Sequence, residues 1–113
     1  MAGTQATAGI GDALIEEIVR RVLSVARPDK IILFGSAAAG EMSRDSDVDL
    51  LVVEPDPHDR RRESIRIDEA LSAMGYPFDV IVITSDWFKA SKTVIGGIAY
   101  PANKYGKVIY AAA

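Results

Sequence analysis

The sequence predicts an α/β (α+β) domain: a small mixed sheet of about four strands with helices packed against it. Three observations carry this expectation. Apolar residues switch along the chain between helical spacing and short runs of strand type. Proline and glycine mark the changes. The 113 residues, 49% of them hydrophobic, suffice for one core and one domain. Residues 1–9 read as a frayed tail and 10–113 as the domain.

The elements follow in order. From about Asp12 to Arg27, Leu14, Ile15, Ile18, Val19, Val22, Leu23 and Ala26 lie on one helical face. Glu16 and Glu17 stand early and Arg20, Arg21 and Arg27 late, as the helix dipole favours, and Pro28 stops the helix. Lys30 to Phe34 reads as a strand broken by Gly35-Ser36. Ala37-Ala38-Ala39 suits a short helical turn closed by Gly40, and residues 41–46 are a polar loop. Asp47 to Val53 is a second strand, apolar on both faces from Leu50 and therefore central. A second long helix is expected from about Asp59 to Met74, its buried side made by Ile65, Ile67, Ala70, Leu71 and Met74, with Gly75 as C-terminal cap. Phe78 to Ile83 is a third strand. Thr84-Ser85-Asp86 caps a short segment from Trp87 to about Lys92, another short helix falls near Ile95–Asn103, and Lys107 to Tyr110 closes the chain as an edge strand.

Composition excludes several chemistries. With no cysteine there is no disulfide, zinc-thiolate site or thiol nucleophile. His58, the only histidine, sits in a turn between prolines and acids. The net charge of −3 gives no basic surplus, so direct nucleic-acid binding is not expected. No run is long enough to span a membrane and the N-terminus lacks a leader pattern, so a cytoplasmic protein without membrane contact is expected.

The chemistry concentrates between Leu33 and Glu54. A glycine directly after a strand lets a ligand approach the backbone, and Ser36 adds a hydroxyl donor beside N–H groups that suit phosphate. Taken alone, Gly35-Ser36 is also a plain strand-to-helix turn. Asp47 and Asp49, two apart on a strand, share a face with Cα atoms about 7 Å apart. Such paired like charges are relieved by a divalent cation with a taste for hard oxygen ligands, or are merely solvated. Asp79 is a lone acid in the apolar stretch FDVIVI. If strands two and three pair, it stands beside the first two acids. Three carboxylates facing a phosphate-friendly loop describe metal-assisted phosphoryl or nucleotidyl transfer.

Gly35-Ser36, then ten residues, then Asp47-Val48-Asp49, with Asp79 on a later strand, resembles the pattern of the DNA-polymerase-β-type nucleotidyltransferase superfamily. The chain is most similar to the minimal nucleotidyltransferases (MNT), the antitoxin half of HEPN/MNT toxin–antitoxin pairs. The resemblance implies the polymerase-β-like nucleotidyltransferase fold. It implies that Asp47, Asp49 and Asp79 hold two Mg²⁺ ions, that Asp79 also serves as base, and that Gly35 and Ser36 hold the phosphates of ATP. It further implies AMP transfer to a hydroxyl, a tyrosine on a partner HEPN toxin, within a hetero-oligomer. The chain departs from the pattern at Ala37-Ala38-Ala39, where many relatives carry arginines; Arg44 is the candidate substitute. That departure keeps a second reading in play, a decayed antitoxin acting by binding alone; a third, a transferase acting on a small hydroxylated molecule, stands because the polymerase-β fold hosts several such chemistries. Arg60-Arg61-Arg62 reads as a solvated face among flanking acids. Trp87, Phe88, Tyr100, Tyr105 and Tyr110 read as packing residues.

Overall fold

The first helix begins where an extended Gly11 releases the chain into a turn with Asp12 at its positive end. This computed structural model describes residues 11–35, 47–57 and 59–112. Helix α1 (Asp12–Leu23) is followed by β1 (Lys30–Phe34), β2 (Val48–Glu54), α2 (Arg60–Leu71) with a 3₁₀ turn at Ser72–Met74, β3 (Phe78–Thr84), α3 (Ser85–Ser91), α4 (Ala99–Tyr105) and β4 (Lys107–Ala111). The expected tail, residues 1–9, lies outside the described residues, as do Ser36, the Ala37–Ala39 turn, Arg44 and His58.

The strands form one mixed sheet in the order β3-β2-β1-β4. β1 runs antiparallel to both neighbours, and β2 runs parallel to β3. The parallel pair needs a crossover, which α2 supplies. As expected, β2 is central and β4 lies at an edge; β3 is the other edge.

Strand alternation divides the core in two. Ile31, Leu33, Val48, Leu50, Val52 and Val82 pack with Ile18 and Val22 of α1 and Ile67 and Leu71 of α2. On the other face Ile32, Leu51, Val53 and Ile83 meet Phe88, Ala99 and Ala102. A glutamate of α1, Glu17, pairs with Arg20 and Arg21, and Arg21 donates to the Ala70 carbonyl of α2 at 3.2 Å.

Several boundaries differ from the sequence expectation. α1 ends at Leu23 rather than Arg27. The residue before a proline disfavours helical backbone, so the helix cannot extend to the expected Arg27. There the Arg27 guanidinium donates to the Leu23 and Ala26 carbonyls. The helix expected at Ile95–Asn103 begins at Ala99, because Gly96 takes a φ of +128° that no helix accommodates. Gly75 caps the α2 region as expected, with φ +81°. Ile65, expected on the buried side of α2, is 51% exposed. It stands two positions from Ile67, about 200° around the helix, so both cannot face the sheet. The same geometry separates Trp87 (59% exposed) from Phe88 (buried), and Tyr105 is exposed rather than packed.

Candidate active site

Three aspartates meet at one end of the sheet. In the β2–β3 register Asp49 stands directly opposite Asp79, and in the β1–β2 register it stands opposite Phe34. Alternation puts Leu51, Ile81 and Ile83 on the α3/α4 face, so Asp49 and Asp79 project to that face as well. Asp47 lies one residue before β2, two before Asp49, and is exposed. Asp79 is also exposed, while Asp49 is half-buried between them.

The proximity has an electrostatic consequence. Burial raises the proton affinity of the Asp49 carboxyl above the usual carboxylate range, and the charges of Asp79 and then Asp47 raise it further. Like charges are thus held together against their own repulsion, at the mouth of strands whose remaining length is core.

Gly35 closes the site from β1. Its φ of +73° is left-handed backbone, which an L side chain resists. A Cβ built on Gly35 would run into the Asp49 carboxylate, Oδ2 being the atom it meets first. The glycine is therefore required twice, for its own conformation and for the room it leaves an acid. Sequence reasoning found the glycine from its place after a strand, but not its contact with Asp49.

The donor set fits a divalent cation in chemistry. All three groups are hard oxygen donors, Asp49 and Asp79 share a face, and the most enclosed, Asp49, carries the charge influence of both neighbours. Among the described residues no group of three or more His, Cys, Asp or Glu side chains is arranged to hold a metal ion by itself. Magnesium is ordinarily bound through one or two carboxylates, with substrate phosphates and water as its other ligands. Ser36 and Arg44, the other candidate ligand-binding residues, lie outside the described residues.

A second acidic cluster, missed in the sequence, lies at the opposite end of β2. Glu54 is only 7% exposed, and its Oε2 is buried without a hydrogen-bond partner. Burial, the charge of Glu63 and a hydrogen bond with Glu63 push its carboxyl up to about 7, against the lowering influence of Arg66. Glu63 is in turn paired with Arg66 at 2.8 Å. The only signal available was a charged residue ending an apolar strand.

Comparison with known proteins bears on the family and the fold. The nucleotidyltransferase domain family matches residues 13–100. No curated protein matches the chain significantly. Among solved structures, a toxin–antitoxin crystallised with AMP-PNP superposes with a TM-score of 0.65 at 22% identity, covering 87% of this chain and 73% of the other. A Shewanella oneidensis MNT antitoxin complex with its tri-AMPylated HEPN toxin gives 0.55 at 20% identity, with 88% and 72% covered. A putative nucleotidyltransferase from Sulfolobus solfataricus gives 0.56 at 19% identity, with 91% of both chains covered. These likenesses establish a shared fold.

Proposed function

The chain belongs to the nucleotidyltransferase domain family, and from that membership we propose that it transfers AMP from ATP to a hydroxyl, a tyrosine on a partner HEPN toxin, and so acts as an antitoxin. The observation that carries the reading is the Asp49–Asp79 register pair, with Asp47 beside it and Gly35 against it. A structural neighbour holding AMP-PNP and another with an AMPylated toxin support the choice of nucleotide and acceptor.

Asp47, Asp49 and Asp79 would hold magnesium. When bound, the metal offsets triphosphate charge and makes the acceptor hydroxyl more acidic. Gly35 admits the triphosphate close to the backbone. Asp79, exposed at the sheet edge, accepts the proton as the acceptor oxygen bonds to the α-phosphorus. The bond from that phosphorus to the bridging oxygen breaks, and pyrophosphate leaves with its electron pair.

Radiolabelled transfer from α-labelled ATP to a HEPN partner tests the reading. Asp47→Ala with Asp49→Ala is expected to lower transfer at least a thousandfold while the circular dichroism spectrum is kept. An active double variant overturns it.

A second reading, an antitoxin that acts by binding alone, is favoured by Ala37-Ala38-Ala39 in place of arginines. It predicts no change in Tm with saturating Mg-ATP, whereas a nucleotide site filled a hundredfold above its Kd adds about 2.7 kcal/mol.

A further inference from the structure

The two edges of the sheet are treated differently. β4 carries Lys107 and a register shift against β1 between Ile31 and Ile32, both devices that discourage a further strand. β3 has neither. Its seven residues, FDVIVIT, include no lysine and no proline, and its register with β2 runs unbroken from Val48↔Phe78 to Glu54↔Thr84. Among the described residues nothing pairs with its outer side. The Pro77 carbonyl accepts from Val48 N–H at 2.8 Å, and backbone groups alternate sides along a strand. The peptide groups of Phe78 and Val80 therefore point outward, unpaired.

A groove of about 260 Å³ runs along this edge, lined by Ser64, Ile65 and Asp68 of α2 and by Phe78, Asp79 and Val80. It explains Ile65, an apolar residue half exposed on the outer flank of α2. The charged side chain that α2 turns toward it is the acidic Asp68, while Asp79 borders it along the strand with its carboxylate on the opposite, α3/α4 face.

The geometry points to an acceptor presented as an extended, basic polypeptide segment that adds to the free edge of β3, its hydroxyl side chain carried to Asp79. This rests on the transferase reading above and names how its substrate is held. Strand addition supplies affinity through main-chain hydrogen bonds and specificity through pockets for alternate side chains. Ile65, Phe78 and Val80 receive an apolar side chain of the segment on the α2 face, where Asp68 selects lysine or arginine, and the hydroxyl residue next along the segment turns to the opposite face, where Asp79 projects. A small-molecule acceptor would use none of these features.

The test uses the whole chain and a fluorescein-labelled ten-residue peptide with a central tyrosine between valines and lysines, followed by anisotropy without nucleotide. Methylating alternate peptide nitrogens is expected to weaken binding at least tenfold, as is Asp68→Lys, a change at an exposed position. Failure of the parent peptide to bind, equal binding of the methylated peptide, or unchanged binding by Asp68→Lys overturns the inference. The Tm shift with Mg-ATP is measured on the same samples. Peptide binding without that shift sinks the transferase reading but leaves the docking edge standing.

Discussion

Gly35 and Glu54 show how much single residues decide at the two ends of β2. At Gly35→Ala the new methyl meets the Asp49 carboxylate while the backbone stays left-handed. The cost is expected at about 1–3 kcal/mol, read as a fall in urea midpoint, together with loss of nucleotide transfer because Asp49 is displaced. Glu54 works through protons. Its folded carboxyl titrates at about 7, above the ordinary value of 4.5, so the native state holds a proton that the unfolded chain releases. The stability this gives is complete below about pH 4.5 and is lost as pH rises through 7. Glu63, Arg66, Arg27 and Asp56 are the charged groups around it. Glu54→Gln keeps the hydrogen bond to Glu63 without the charge. It is expected to raise stability at pH 8 by about 1–2 kcal/mol and to flatten the slope between pH 5 and 7 in urea titrations.

Element by element, the spacing of apolar residues revealed type and order, while termini depended on local hydrogen bonds that spacing does not carry. α2 begins where Asp59 accepts from the Arg61 and Arg62 N–H groups at 3.1 and 3.2 Å. Asp59→Ala is expected to cost about 1 kcal/mol, checked by thermal unfolding. Along α1, Ile15, Val19 and Leu23 line an open groove with Ile109, although they share a stripe with the buried Ile18 and Val22. A helical wheel cannot say which half of a wide apolar arc meets the sheet; the crossing of α1 over β1 decides that. The acid trio was legible because two spacings, i to i+2 on one strand and a lone acid on the next, are fixed by strand geometry. The contact of Gly35 with Asp49 was not, since it depends on how β1 and β2 pair across 13 residues.

For the molecule as a whole, the sheet separates two cores, and β2 contributes to both. Leu51, fully buried on the α3/α4 face, is with Val53 a side chain through which the smaller core meets the site strand. Leu51→Ala is expected to cost about 2–5 kcal/mol in urea unfolding, with one cooperative transition retained. No helix among the described residues is long and apolar enough to cross a membrane. The parallel pairing of β2 and β3 has a consequence in time. Asp49 finds its opposite number only after α2 has emerged and doubled back, so the carboxylate trio cannot assemble until the chain has been synthesised past Asp79. On the proposed reading, a fragment ending before Phe78 lacks Asp79 and is expected to transfer no nucleotide.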